Sequence, residues 1–149
     1  MKWNTTRNIR SLTLSFICFF LAVAAIDCVA ETLRPPSVPL VACDPYFSIW
    51  SPADKLTDTE TTHWTGKPQR LTSLIRIDGA PFRLMGTEPA AVPAMAQINL
   101  EVLPTRTIYT FEGQGVQLVM TFMTAALPES IDLLSRPVTY LTYECHSTD

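Results

Sequence analysis

Histidine and cysteine side chains are the first candidates for chemistry, and the 149-residue chain has two histidines and four cysteines. A zinc site usually takes three or four protein ligands at close spacing in the sequence. His63 and His146 lie far apart, as do Cys43 and Cys145, so the sequence predicts no zinc site. A Cys145–His146 dyad is also excluded, because neighbouring residues of a strand point to opposite faces of the sheet.

Motifs for other reactions do not occur in the sequence. It contains no Gly-x-Ser-x-Gly elbow, no phosphate-binding loop and no dinucleotide fingerprint. Asp54, Asp58 and Glu60 are close enough together to suggest calcium ligands, but their spacing lacks the glycine turn and terminal glutamate of a calcium loop. We interpret these three residues as part of a solvated loop, and we predict no catalytic residue, no metal and no cofactor in this chain.

Aromatic residues form the remaining candidate site, in two segments that read DPYFSIWS (Asp44–Ser51) and HWTG (His63–Gly66). The rings could stack on a sugar or line a cleft, with the aspartate and the histidine as polar partners. We favour the alternative that they pack in a core or dock against another domain. The candidate residues of this cleft or domain interface are Asp44, Tyr46, Trp50, His63, Trp64 and Arg136.

Two residues of this set also have simpler structural interpretations. Asp44 can accept backbone N–H groups in the turn at Pro45, which is a common role of aspartate. Arg136 precedes Pro137 and can pair with Asp132 or with a further domain. A surface pair of this kind would stabilise the fold by only about 0–1 kcal/mol.

Short strands are the elements that must position these side chains. All twelve prolines and all five glycines lie after residue 30, so few segments are long enough for a helix. We predict eight strands, at residues 40–42, 46–50, 71–77, 80–84, 97–103, 105–111, 116–123 and 138–146, and one helical turn within 129–134. Asp78-Gly79 predicts a hairpin, because both residues tolerate positive φ. The pattern predicts an all-β fold, an antiparallel β-sandwich, with an exposed loop at 51–62 and a linker at 87–95.

The first 30 residues have the composition of a secretory signal peptide. Lys2, Arg7 and Arg10 precede an apolar run over 11–26, and Ala30 follows at a cleavage position. The run is shorter than the roughly 18 residues of a membrane-spanning helix, so we place an uncleaved anchor second. We therefore expect a secreted or periplasmic protein that is cleaved near Ala30 and meets a membrane only during export.

Charge and cysteine content of the mature part limit its partners. Without residues 1–30, eight Lys and Arg remain against thirteen Asp and Glu, a net charge of −5. No basic cluster occurs, so nucleic acid is not an expected partner. Cys43 and Cys145 can form a disulfide after export or remain two separate thiols, and the sequence leaves both open.

Five segments, taken in order, resemble the N-terminal region of the glutaminase A family of secreted proteins. The similarity extends from about Leu33 to Glu144 and covers nearly the whole mature chain. The five segments are Asp44–Ser51, His63–Gly66, Leu74–Gly79, Thr107–Glu112 and Asp132–Thr142.

This resemblance implies a β-sandwich followed by a large helical α/α toroid, similar to the barrels of six-hairpin glycosidases, that carries the catalytic site. The implied activity is hydrolysis of L-glutamine to L-glutamate and ammonia outside the cytoplasm. The sequence has no such toroid and stops at Asp149, directly after a strand. We therefore expect an N-terminal fragment, with a signal peptide (1–30), an N-terminal β region (31–90) and the start of an incomplete β-sandwich domain (91–149).

On this interpretation the chain is a noncatalytic support, and its partner is the missing C-terminal toroid of the same protein. The alternatives are a secreted carbohydrate-binding β-sandwich module and an accessory domain of a six-hairpin glycosidase-like hydrolase. The aromatic rings at Tyr46, Trp50 and Trp64 would form the platform of a carbohydrate-binding module.

Overall fold

The computed structural model describes residues 34–148, which form eight strands and one short helix. They are β1 (Val38–Ala42), β2 (Ser48–Ser51), β3 (Ser73–Ile77), β4 (Ala80–Met85), β5 (Ala96–Leu103), β6 (Arg106–Gly113), β7 (Val116–Thr124), α1 (Ile131–Leu134) and β8 (Thr139–Ser147). The predicted signal peptide lies outside the described residues. Within the described residues, no helix has the length and apolar character needed to cross a membrane.

The strands form three antiparallel sheets. β1 pairs with β2, β3 pairs with β4, and β5 to β8 form a four-stranded meander in chain order. The predicted all-β, antiparallel class is confirmed, and each of the eight predicted strands has a counterpart. The predicted helical turn is also present, as α1.

Two hairpins have turn residues with positive φ, and the sequence predicts the first of them, at Asp78-Gly79. Asp78 and Gly79 have φ of 49° and 85°, and they join β3 to β4. Gln114 and Gly115 have φ of 56° and 70°, and they join β6 to β7. Positive φ at both central residues matches the right-handed twist of the flanking strands, so these turns set the register of both hairpins.

The hydrophobic core lies on one face of the four-stranded sheet. The predicted alternation on β6 is confirmed, because Thr107, Tyr109 and Phe111 are all buried. The two smaller sheets pack against this face, so residues on both sides of position 90 share one core. Its buried members are Val38, Leu40, Leu56, Leu84, Met85, Met95, Tyr109, Phe111, Leu118, Met120 and Phe122.

Tyr109 is at the centre of this core. Its ring lies 6.4 Å from Phe111 in a stacked arrangement and 6.4 Å from Phe122 in an edge arrangement. Burial raises the pKa of the Tyr109 phenol, and nearby Ser51 and Arg34 offset part of this effect. The raised pKa therefore keeps the phenol protonated at neutral pH.

Two segments that the sequence assigns to an exposed loop and a linker are fixed to the core. Leu56, in the middle of the polar loop, is buried, and its N–H donates to Gln97 Oε1 at 3.0 Å. The prediction that residues 51–62 form an exposed loop is thus wrong at this position. In the 87–95 segment, Val92 O accepts from Arg83 Nε at 2.8 Å, and Met95 is buried.

Candidate functional site

The candidate site begins at the turn between β1 and β2, which Asp44 closes. Asp44 Oδ1 accepts the backbone N–H groups of Tyr46 at 2.7 Å and Phe47 at 2.8 Å, as the sequence predicts. Because both N–H groups are used in the turn, β2 begins only at Ser48, and the predicted strand at 46–50 is wrong at its start. Tyr46 is 90% exposed, so packing of this ring in the core is also wrong.

A second turn, His63–Gly66, is attached to β2. Trp50 and Thr62 exchange two backbone hydrogen bonds, of 2.7 and 2.9 Å. The Gly66 N–H donates to His63 O at 2.9 Å, and Gly66 has a φ of +83° that favours glycine. This turn places Trp64 at the surface, where it is 61% exposed.

The carbonyl oxygen of Pro45 joins the two turns. It accepts from Trp64 Nε1 at 2.7 Å and from His63 Nε2 at 3.0 Å. A carbonyl oxygen can only accept, so Nε2 carries the imidazole proton of neutral His63. His63 Nδ1 is then the acceptor for the Thr65 N–H at 3.3 Å and for the Thr65 hydroxyl at 2.8 Å.

An open groove lies between these turns and the start of β2, and we call it the aromatic groove. Its volume is about 400 Å³. Trp50 is half-buried on its wall, and the Trp50 indole N–H donates to Ser48 Oγ at 3.1 Å. The residues that line the aromatic groove are Ala42, Asp44, Pro45, Ser48, Trp50 and Trp64.

Most of the predicted site residues therefore lie together, although the sequence did not predict the hydrogen bonds to Pro45 O that join the two turns. Asp44 and the two tryptophans line the aromatic groove, and His63 is hydrogen-bonded to Pro45, which also lines it. Arg136 lies instead in the connection between α1 and β8, where its N–H donates to Leu133 O at 3.2 Å. The predicted pair of Arg136 with Asp132 is absent from the salt bridges between residues 34 and 148.

Cys43 and Cys145, between which the sequence left a disulfide open, are both free cysteines in this structure. Cys43 Sγ contacts Thr139 Oγ1 at 3.4 Å, at the start of β8. Cys145 lies six residues further along that strand, which is about 20 Å at 3.3 Å per residue. The Cα atoms of a disulfide are about 4.4–6.8 Å apart, so this arrangement does not allow the bond.

A second surface, which the sequence did not predict as a site, lies on β8. Leu141 and Tyr143 are 39% and 48% exposed, although their cross-strand partners on β7, Phe122 and Met120, are 2% and 0% exposed. The core face of the sheet thus continues onto β8 without a cover. We call Leu141, Tyr143 and Cys145 the β8 face; Tyr143 Oη also contacts Ser73 Oγ at 3.0 Å.

The chemistry available at the aromatic groove is that of binding surfaces. It combines indole ring surface and a proline ring with one carboxylate. Among residues 34–148, no group of three His, Cys, Asp or Glu side chains could hold a metal ion. The β8 face adds apolar surface on the edge strand of the sheet, and exposed apolar surface on an edge strand is a feature of protein–protein contacts.

Comparison with known proteins finds that two family models match parts of the chain. The family described as domain of unknown function DUF5127 matches residues 105–149, and the one described as domain of unknown function DUF4964 matches residues 14–97. No curated protein and no solved structure matches the chain. The DUF4964 match covers more than half of the sequence, so this chain belongs to the DUF4964 family.

Proposed function

We propose that this chain is the noncatalytic β-sandwich part of an exported glutaminase A-like amidohydrolase. In this proposal the chain supports a helical catalytic domain, and the parent protein hydrolyses L-glutamine to L-glutamate and ammonia. The five ordered segments that resemble the glutaminase A family support it. The uncovered β8 face is the structural observation that supports its first part, a role of this chain as a support for another domain.

The β8 face has the properties of a surface that another domain covers. Leu141 and Tyr143 continue two rows of side chains that are fully buried on β7. Soluble monomers rarely expose contiguous apolar patches larger than a few hundred Å². β8 also pairs with β7 on one side only, so it is the edge strand of the described four-stranded sheet.

Export of the protein is part of the same proposal. The three basic residues, the apolar run over 11–26 and the small residue Ala30 support a Sec-type signal peptide. Determination of the N-terminal sequence of the exported protein tests this point. The expected first residue is Glu31, and a mature protein that still begins at Met1 would contradict it.

Ammonia release separates the proposed parent activity from its alternatives. We would express the longest reading frame that contains this chain, and the 149-residue chain alone, and measure ammonia formed from L-glutamine. The longer product should release ammonia, and the chain alone should not. Glutamine hydrolysis by the 149-residue chain would disprove the support role, and cleavage of glycosides without glutamine hydrolysis would favour a glycosidase-like parent.

A pair of neighbouring substitutions tests whether the β8 face is the contact. Leu141→Glu places a charge on the β8 face, whereas Thr142→Glu places the same charge on the opposite face of the strand. In the longer product, Leu141→Glu should lower activity or yield at least about tenfold, because a buried unpaired carboxylate costs several kcal/mol. Equal effects of the two substitutions would contradict the assignment of the contact to this face.

A further inference from the structure

The N–H donors around the aromatic groove are already in use. The indole N–H of Trp50 donates to Ser48 Oγ, and the indole N–H of Trp64 donates to Pro45 O. The Nε2–H of His63 donates to the same Pro45 oxygen. The two tryptophans therefore offer ring surface to a ligand, and a ligand that needs several donors finds few of them here.

Asp44 supplies the only charge on the lining of the aromatic groove. Its Oδ1 atom holds the turn by accepting from Tyr46 and Phe47. Its Oδ2 atom makes no hydrogen bond or salt bridge to any residue between 34 and 148. The turn thus fixes an uncompensated negative charge beside two indole rings.

We propose that the aromatic groove binds a small soluble quaternary ammonium compound of the choline class. Such a cation needs no hydrogen-bond acceptor, and its methyl groups suit the lining of proline and tryptophan rings. Its charge is attracted by the faces of aromatic rings and by the Asp44 carboxylate. The groove is open to solvent, so a bound ligand would lie against the tryptophan and proline rings without being enclosed.

Other ligand classes match the groove less well. A neutral sugar has several hydroxyl groups that need both donors and acceptors, and both indole donors of the lining are occupied. A calcium ion takes six to eight oxygen ligands, and the lining supplies one carboxylate. A primary ammonium group has three N–H donors and therefore needs more acceptors than Asp44 provides. The proposal does not depend on the glutaminase-like role of the parent.

Nuclear magnetic resonance of the ¹⁵N-labelled 149-residue chain tests the proposal. The indole N–H signals of Trp50 and Trp64, assigned with Trp→Phe variants, would be followed during titration with choline. The control ligand is 3,3-dimethylbutan-1-ol, which has the same shape and no charge. Choline should shift both signals with a millimolar dissociation constant, and the alcohol should bind at least about tenfold more weakly, since only the cation gains from the rings and the carboxylate.

Two variants locate the effect at Asp44. Asp44→Asn keeps an Oδ1 acceptor for the turn and removes the charge, so choline binding should weaken about fivefold or more. Asp58→Asn removes an exposed charge in the 51–62 loop and should leave binding unchanged. Equal binding by the two variants would overturn the proposal. If Asp44→Asn does not fold, the comparison of choline with the alcohol on the unaltered chain still decides.

Three further outcomes would also overturn the proposal. They are no shift of the two indole signals with choline, an equal response to the alcohol or to glucose, and binding to phosphatidylcholine vesicles without any response to free choline. A shift of the indole signals with glucose would favour the alternative that the groove binds carbohydrate. A response to vesicles alone would indicate a membrane surface.

Discussion

Gly86 shows how closely the backbone is packed at the end of β4. Its φ is +87°, and a Cβ atom would lie 2.9 Å from the carbonyl oxygen of Leu71 and 3.0 Å from Thr72 Oγ1. The Gly86 N–H also donates to Leu56 O at 2.9 Å, so this position holds the 51–62 loop against the core. Only glycine fits the conformation and the space together.

Gly86→Ala should therefore destabilise the fold strongly. We expect a loss of roughly 2–4 kcal/mol in the free energy of unfolding, from the positive φ together with the contact to the Leu71 oxygen. Gly79→Ala is the matched control, because Gly79 has a φ of +85° but no atom within 4 Å of its Cβ position. It should cost about 1 kcal/mol in urea unfolding. Equal losses would show that the crowding at Gly86 is unimportant.

Glu60 makes a pH-dependent contribution to the same region. Its carboxylate accepts hydrogen bonds from the Thr87 hydroxyl and the Thr87 N–H and lies 3.8 Å from Arg70 Nε. The hydrogen bonds from Thr87, assisted by Arg70, hold the pKa of Glu60 below its usual value of 4.5, against a smaller opposing effect of burial. The stabilisation is thus fully present above pH 4.5 and is lost as the pH falls through the lowered pKa.

Glu60→Gln should reveal this dependence in thermal unfolding. At pH 7 we expect a loss of about 1 kcal/mol, because the amide still accepts from Thr87 but carries no charge. The difference from the unaltered chain should shrink as the pH falls below 4. Glu112→Gln, at an exposed position of β6, is the control and should change little at either pH. A loss for Glu60→Gln that is the same at pH 3 and pH 7 would contradict the lowered pKa.

At the scale of elements, residues that are paired across β7 and β8 differ in how deeply their side chains are buried. Phe122 on β7 is buried in the core, and its cross-strand partner Leu141 on β8 is partly exposed. Phe122→Ala should cost about 3–5 kcal/mol, because it opens a cavity beside Tyr109. Leu141→Ala should cost less than about 1 kcal/mol in the 149-residue chain. Chemical unfolding measures both, and a large loss for Leu141→Ala would show that the β8 face is covered in this chain.

The sequence was informative about elements where local chemistry decides. Asp78-Gly79 predicted its hairpin because positive φ at both positions is a local requirement of the turn. The alternation in β6 predicted its buried face because one side of a strand must cover a core. The same reasoning placed all eight strands, with errors mainly at their ends.

The sequence was less informative where distant contacts decide. Leu56 lies alone among polar residues, so no periodicity marks it as a core residue. The aromatic neighbours of Tyr46 predicted that it lies in a strand. The turn closed by Asp44 overrides that preference, because its carboxylate accepts the Tyr46 N–H. The groove depends on Pro45 O as the shared acceptor of two side chains that are 18 and 19 residues away, which no local pattern shows. The alternation of side chains along β8 predicts which residues share a face of the strand. It does not predict which of the two faces another part of the protein covers.

At the scale of the whole molecule, the two proposed binding surfaces differ in chemical character. The aromatic groove combines ring surface with the fixed charge of Asp44, and the β8 face combines apolar side chains with an open strand edge. The first suits a small cation, and the second suits another domain. In the proposed function, β8 is the place where this β-rich chain would meet a larger partner domain.

Hydrogen exchange at β8 is the most direct test of this central claim. The amides of β8 that do not bond to β7 should exchange rapidly in the 149-residue chain, as open strand edges do, while the central amides of β6 stay protected. In the product of the longest reading frame, the same β8 amides should exchange at least about 100-fold more slowly, because the partner domain covers them. Rapid exchange of these amides in both proteins, with β6 protected in both, would contradict the account.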